Sequence, residues 1–127
     1  MAENLNEKTI VWVEDDNFLG NVISKKLSAE GAKVIYMNTG AKALEALEDL
    51  VPDLILLDVL LPDKDGFEVL EEVKRSSRLN DVPVIMFSNL SHEENMIKAK
   101  KMGALDFYVK SNMTPDQIVE NVKEAIS

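Results

Sequence analysis

The chain alternates between short runs of apolar residues and longer segments in which apolar residues recur every three or four positions. The runs predict strands, and the spaced segments predict amphipathic helices. The predicted strands are Thr9–Val13, Lys33–Tyr36, Leu54–Leu57, Val82–Phe87 and Leu105–Val109. The helical spacing appears in Leu19/Ile23/Leu27, Leu44/Leu47, Phe67/Leu70/Val73 and Ile118/Val122/Ile126. Strand and helix alternate five times, which predicts an α/β domain with a parallel sheet.

Residues typical of helix ends support these elements. Ser91–Glu94 and Thr114–Gln117 each form a capping box, which predicts that a fourth and a fifth helix begin there. Gly31 and Gly103 each follow a predicted helix, where a left-handed cap favours glycine. His92, the single histidine, is interpreted as a helix-end residue. Right-handed connection of five such units predicts a three-layer, doubly wound fold, in which ligands bind beyond the carboxyl ends of the strands.

Acidic residues follow two of these strands. Glu14, Asp15 and Asp16 follow the first strand, and Asp58 follows the continuously apolar third strand. Two carboxylates about 4 Å apart repel by roughly 4 kcal/mol at an effective dielectric near 20, so a cluster of them favours a bound cation. Oxygen ligands with open positions suit Mg²⁺. We interpret Asp15 and Asp58 as a metal site, and Asp16 and Asn17 as the start of the first helix.

A hydroxyl and an ammonium group follow the other two strands. Ser88 ends the fourth strand and Lys110 ends the fifth. Beside Asp58, Lys110 would supply a point charge to a phosphoryl group, and Ser88 would donate a hydrogen bond to a phosphoryl oxygen. A polar or charged residue at a single strand end is weak evidence for a site. Such residues at the ends of four strands together indicate one site.

Length and composition narrow the class of protein. The chain has 127 residues, which fits one domain, and we expect a flexible tail over residues 1–7 and the domain over 8–127. Its net charge of −9 disfavours direct binding to nucleic acid or anionic membranes. It has no cysteine, so disulfides and thiolate chemistry are excluded. With no signal-peptide segment or membrane-length apolar run, we expect a cytoplasmic protein.

The chain resembles response-regulator receiver domains, the phospho-acceptor domains of two-component signalling. The resemblance extends from about Thr9 to Ile126, and it is carried by IVWVEDD, DLILLDVLLPDKDGFEVL, PVIMFS and GALDFYVK. It implies a flavodoxin-like, five-stranded parallel sheet in the order 2-1-3-4-5.

The resemblance also implies a phosphorelay function without enzymatic turnover of a separate substrate. Asp58 would attack a phosphohistidine on a sensor histidine kinase or a phosphotransfer protein and become an aspartyl phosphate. Mg²⁺, or Mn²⁺, would be held by Glu14, Asp15, Asp58 and the backbone carbonyl of Leu60.

The remaining family roles concern the phosphoryl group and the switch. Ser88 and Lys110 would contact the phosphoryl oxygens. Phe107 would move into space that opens behind the fourth strand, changing the face formed by helix four, strand five and helix five. The resemblance allows a phosphorylation-dependent homodimer through that face, and it leaves the downstream partner or output domain open.

Several positions depart from the family pattern. Ser111 replaces the usual proline after the lysine, so we predict a trans Lys110–Ser111 bond and a rearranged loop. Asn89 stands where a small residue is usual, and it would either narrow the site or offer it an amide. By the resemblance, Leu60 and Leu90 would flank the path of the hydrolytic water, and apolar side chains cannot orient it, so we expect a long-lived aspartyl phosphate.

Three other functions compete with this interpretation. A flavin-binding domain would not place Glu14–Asp16 where a phosphate binds. A metal-dependent aspartyl phosphatase needs a second aspartate two residues after its nucleophile, and Leu60 occupies that position. A receiver-like scaffold that binds partners without phosphorylation stays open: Asn89 and Ser111 favour it slightly, whereas the acids, Ser88 and Lys110 disfavour it.

Overall fold

A central parallel sheet organises the chain, whose computed structural model describes residues 4–89 and 93–126. Its strands are β1 (Thr9–Val13), β2 (Lys33–Met37), β3 (Leu54–Asp58), β4 (Val84–Ser88) and β5 (Asp106–Val109). They lie in the order β2-β1-β3-β4-β5, all in parallel, which confirms the expected topology.

Five α-helices connect or follow these strands. They are α1 (Asn17–Ala29), α2 (Gly40–Leu47), α3 (Gly66–Arg75), α4 (Glu93–Lys101) and α5 (Pro115–Ile126), and a 3-10 helix spans Lys110–Asn112. Two apolar layers separate them from the sheet. Residues of α2, α3 and α4 pack on one face, and residues of α1 and α5 pack on the other. Both faces of β3 and β4 are therefore covered, which explains their continuously apolar sequences.

The predicted helix ends are confirmed where the structure describes them. Thr114 Oγ1 accepts from Gln117 N–H at 3.1 Å, and Gln117 Oε1 accepts from Thr114 N–H at 2.8 Å. Gly31 and Gly103 have φ of +103° and +98°, the left-handed conformation that glycine adopts without strain. The capping box at Ser91–Glu94 includes Ser91 and His92, which lie outside the described residues.

The amino-terminal segment differs from the expected tail. Leu5 is fully buried among residues of β1 and α1, and its N–H donates to Glu30 O at 2.9 Å. The packed part of the chain therefore includes Leu5, inside the expected tail over residues 1–7. One isolated leucine gives no periodicity, which is why the sequence pattern missed it.

Strand β4 begins later than predicted. The apolar run starts at Val82, but the strand starts at Val84. Pro83 has no N–H to donate, although its carbonyl accepts from Ile55 N–H at 3.0 Å. None of the helices in the described part of the chain is long and apolar enough to cross a membrane.

Candidate functional site

The carboxyl ends of β1, β3 and β5 border one cleft of about 420 Å³. Within it, Glu14 and Asp15 follow β1, Asp58 ends β3, and Lys110 follows β5. The parallel register places these ends side by side, because Val13 pairs with Leu57 and Asp58 pairs with Phe87. The sheet order therefore brings together the groups that the sequence predicted at strand ends.

Asp58 is a buried carboxylate, with only 3% of the residue exposed. Its Oδ1 accepts from Leu60 N–H at 3.2 Å, and its Oδ2 accepts from the Lys110 ammonium at 2.8 Å. Gly66 packs against the main chain of Asp58: a Cβ on residue 66 would lie 2.2 Å from the Asp58 carbonyl oxygen. The first turn of α3 can approach the end of β3 only because residue 66 has no side chain.

Glu14 is fully buried beside Asp58. Its Oε2 accepts from Asp16 N–H at 3.2 Å, and its Oε1 lies 2.5 Å from Lys110 Nζ. That close contact is an ion pair, yet Oε1 has no well-aligned hydrogen-bond donor among the described residues. The pKa of Glu14 is raised to about 8: burial is the largest cause, Asp58 adds to the rise, and Lys110 partly opposes it.

Lys110 is the cation of the cluster. Its side chain is 12% exposed and pairs with both Asp58 and Glu14. Burial alone would lower the pKa of Lys110, but the hydrogen bond to Asp58 and the charge attraction of both carboxylates outweigh burial, so the pKa lies above its ordinary value.

Three carboxylates at the site could hold a metal ion. One oxygen each of Glu14, Asp15 and Asp58 lies within 4.8 Å of the others, and Asp15 is exposed to the cleft. With all three ionised, the carboxylates contribute −3 and Lys110 contributes +1, leaving −2 at the site. The unaligned Glu14 oxygen, the residual charge and the all-oxygen donor set fit Mg²⁺ or Mn²⁺.

Of the other predicted site residues that the structure describes, Leu60 lines this cleft, whereas Ser88 and Phe107 are buried and do not line it. Leu60 lines it and is 55% exposed, so its backbone is close to Asp58. Ser88 is fully buried at the end of β4 and is not among the residues that line the cleft. Phe107 is 3% exposed and pairs with Met86 in the sheet, inside the layer covered by α3 and α4. Leu90 lies outside the described residues.

The departures from the family pattern also lie at the cleft, which Asn89 and Ser111 both line. No peptide bond in the described ranges is cis, and Ser111 lies within the 3-10 helix that follows β5. The predicted trans Lys110–Ser111 bond is confirmed, and the rearranged loop stays a prediction.

Tyr36 on β2 is a site neighbour that the sequence reasoning missed. Its hydroxyl donates to the Glu14 carbonyl oxygen at 2.7 Å. A tyrosine in a strand is unremarkable as a residue type. The contact depends on the pairing of Trp12 with Tyr36 across two strands, which no local pattern reveals.

Comparison with known families decides the class of this domain. The model of the response regulator receiver domain matches residues 10–123, which is most of the chain and includes every predicted site residue. The chain belongs to the response regulator receiver family. Receiver domains are signalling domains that partner a histidine kinase or a phosphotransfer protein, and they bind Mg²⁺ or Mn²⁺ at acidic residues.

Individual relatives agree with that assignment. The phosphate regulon transcriptional regulatory protein PhoB of Pseudomonas aeruginosa is 31% identical over 119 residues, covering 94% of this chain and 52% of that protein. The chain therefore spans about half the length of this curated relative, and also about half the length of the probable transcriptional regulators ycf27 of Cyanophora paradoxa and Pyropia yezoensis.

Two solved structures are similar along nearly their whole length. The Mn²⁺-bound response regulator Rcp1 is 27% identical, with a TM-score of 0.81, and 92% of each chain is covered. The phosphorylated cyanobacterial phytochrome response regulator RcpA is 29% identical, with a TM-score of 0.78, and 93% of this chain and 90% of that chain are covered. Members of this family thus bind a divalent cation and are phosphorylated.

Proposed function

We propose that this receiver domain is a phosphorylation switch in which Asp58 accepts a phosphoryl group from a phosphohistidine, with a divalent cation bound. The donor is a sensor histidine kinase or a histidine phosphotransfer protein. The observation that carries the proposal is the position of Asp58: a buried carboxylate at a strand end, beside a buried lysine and two further acids, and open to a cleft.

The transfer exchanges one phosphorus bond for another. An Asp58 carboxylate oxygen attacks the phosphorus, the new O–P bond forms, and the P–N bond to the donor imidazole breaks. The electron pair of that bond stays on the imidazole nitrogen. Such a reaction needs positioning and charge stabilisation more than covalent help from the protein.

The chain's own residues supply both. Burial limits the orientations of the Asp58 side chain, and its hydrogen bond from Leu60 N–H holds Oδ1. Lys110 already lies 2.8 Å from Oδ2 and would pass its hydrogen bond to a phosphoryl oxygen as that group arrives. Ser88 would donate a second hydrogen bond once its hydroxyl turns toward the phosphoryl group.

Glu14, Asp15, Asp58 and the Leu60 carbonyl would hold Mg²⁺ or Mn²⁺. When bound, the cation neutralises developing charge on the phosphoryl oxygens. Glu14 must lose its proton before its carboxylate can bind the cation. Asp15 is the one exposed carboxylate of the three.

The output would be a change in the face formed by α4, β5 and α5. As Ser88 turns toward the phosphoryl group, Phe107 would move into the space that Ser88 leaves. Phe107 has no hydroxyl, so its effect on the face would be steric. A difference of a few kcal/mol between the two states suffices for a useful shift in population.

Intact-protein mass spectrometry after incubation with acetyl phosphate and Mg²⁺ tests this proposal. We expect one added phosphoryl group, and we expect none with Asp58→Asn or with excess chelator. Asp53→Asn is the matched control: Asp53 lies just before β3, at the far end from Asp58, where it accepts from Thr9 N–H at 2.8 Å. Magnesium binding without any phosphorylation would instead support the scaffold function that Asn89 and Ser111 allow.

A further inference from the structure

The main chain of Glu14 is held on both sides by strand β2. Its N–H donates to Met37 O at 3.0 Å, and its carbonyl oxygen accepts from the Tyr36 hydroxyl at 2.7 Å. The first contact continues the pairing of the sheet. The second is made by a side chain, beyond the last residue of β1, at the point where the chain turns to present its acids.

The Tyr36 hydroxyl also lies at the start of α1. Its oxygen is 3.1 Å from Asn17 Oδ1, so one hydroxyl group contacts the residues on either side of Asp15 and Asp16. It has a single proton to donate, and the shorter contact to Glu14 is the natural recipient. The hydroxyl therefore spans the segment that presents two of the three carboxylates.

Helix α1 leaves room for the Tyr36 ring. A Cβ on Gly20 would lie 2.3 Å from Cζ of Tyr36 and 2.5 Å from its hydroxyl oxygen. Gly20 is held in place as well, because its carbonyl accepts from Trp12 Nε1 at 3.2 Å. The ring occupies space that a side chain at position 20 would take, and this contact is separate from the hydrogen bond of the hydroxyl.

We propose that Tyr36 is a positioning residue for the divalent cation, because its hydroxyl fixes the Glu14 main chain and so sets where the Glu14 and Asp15 carboxylates point. This inference rests on the proposed function, since it requires a cation at the acidic cluster. Tyr36 touches neither the cation nor the phosphoryl group. It acts through the backbone on residues that do.

Mn²⁺ affinity measured by electron paramagnetic resonance on the full chain tests the inference without phosphorylation. Tyr36→Phe keeps the ring against Gly20 and removes only the hydroxyl. We expect its Mn²⁺ affinity to be about threefold to tenfold weaker than that of the wild type, the effect of losing one ordinary hydrogen bond. Tyr108→Phe, which removes the other tyrosine hydroxyl, should bind Mn²⁺ as the wild type does.

A second control separates positioning from general stability. Val122→Ala removes two methyl groups from the core layer shared by α1 and α5, where Val122 is fully buried. It should lower the melting temperature and leave Mn²⁺ affinity unchanged. A purely structural role for Tyr36 predicts the same behaviour for Tyr36→Phe. Gly20→Ala, whose Cβ would displace the hydroxyl, should weaken Mn²⁺ binding and decides the matter if Tyr36→Phe does not fold.

Each outcome decides between the two proposals. If the wild type binds Mn²⁺ and Tyr36→Phe binds it equally well, the role of Tyr36 is overturned and the proposed function stands. If the wild type does not bind Mn²⁺, the cation site of the proposed function fails and the role of Tyr36 fails with it. Weaker binding by Tyr36→Phe and unchanged binding by both controls supports the inference.

Discussion

The Lys110 ammonium lies 2.8 Å from Oδ2 of Asp58, the carboxylate proposed to accept the phosphoryl group. Both side chains are shielded from solvent, with 12% and 5% exposed. Little solvent screens this pair, so the lysine strongly affects the charge state of the site. The same ammonium also pairs with Glu14, which means that Lys110 and a bound cation compete for the same carboxylates.

That competition predicts opposite effects of one substitution on two measurements. Lys110→Met keeps an unbranched side chain, one heavy atom shorter, and removes its charge. We expect Mg²⁺ to bind several-fold more tightly, because a like charge leaves the site, and we expect phosphorylation by acetyl phosphate to slow markedly. Calorimetric titration and mass spectrometry measure the two effects. Lys42→Met removes an exposed lysine on α2 as the control, and weaker Mg²⁺ binding by Lys110→Met would contradict the account.

The raised pKa of Glu14 predicts how cation binding depends on pH. Burial and the neighbouring Asp58 together raise the pKa of Glu14 from 4.5 to about 8 against the opposing effect of Lys110, so the metal-free protein retains a proton that a cation must displace. Apparent Mg²⁺ affinity should therefore increase with pH up to about 8 and then level off. Titrations at several pH values measure this, and Glu14→Gln should flatten the dependence.

The same pKa has a consequence for folding. The unfolded chain loses the Glu14 proton near 4.5, whereas the folded protein holds it up to about 8. The contribution to the free energy of unfolding is therefore fully present below the unfolded pKa and is lost as pH rises through the folded pKa. Thermal melts without metal should show this decline with pH in the wild type and a smaller one in Glu14→Gln.

The close packing of Gly66 against the backbone of Asp58 and Val59 predicts that a side chain at position 66 destabilises the fold. A Cβ on residue 66 would lie 2.2 Å from the Asp58 carbonyl oxygen and 2.8 Å from the Val59 Cα, both backbone atoms. We expect Gly66→Ala to lower the free energy of unfolding by about 1–3 kcal/mol, the usual range for overpacking. Denaturant unfolding measures this. Gly40→Ala is the control, because its nearest contacts are side-chain atoms at 3.1 and 3.2 Å that can move.

The apolar side chain of Leu60 predicts that the phosphoryl group on Asp58 is lost slowly. Its exposed side chain lines the cleft and offers no group to orient an attacking water. We expect Leu60→Asn to speed the loss of the phosphoryl group several-fold, measured by mass spectrometry after acetyl phosphate is removed. Leu60→Met keeps the position apolar and should leave the rate unchanged. An unchanged rate in Leu60→Asn would remove Leu60 from the explanation of a long lifetime.

Much of this fold follows from local pattern. Apolar runs and helical spacing repeat five times, and parallel strands bring their carboxyl ends to one edge. Asp58 and Lys110 are 52 positions apart in sequence, yet each could be placed at a strand end before any contact was known. The helix caps at Thr114 and Gly103 were equally local signals, and the structure confirms them.

Contacts set by packing between elements were not predictable in this way. Tyr36 reaches Glu14 across a strand pair, and Leu5 is buried by α1 and β1 although no periodic pattern includes it. The burial of Ser88 at the end of β4 is likewise set by packing, and its predicted contact with a phosphoryl oxygen stays a prediction.

Reductive trapping tests the central claim most directly. Borohydride reduces an aspartyl phosphate to homoserine, and peptide mapping then locates the modified residue. After incubation with acetyl phosphate and Mg²⁺, the account predicts homoserine at position 58 alone, and none when a chelator is present. Homoserine at Asp15 or elsewhere, or labelling of position 58 that persists without a divalent cation, would contradict it.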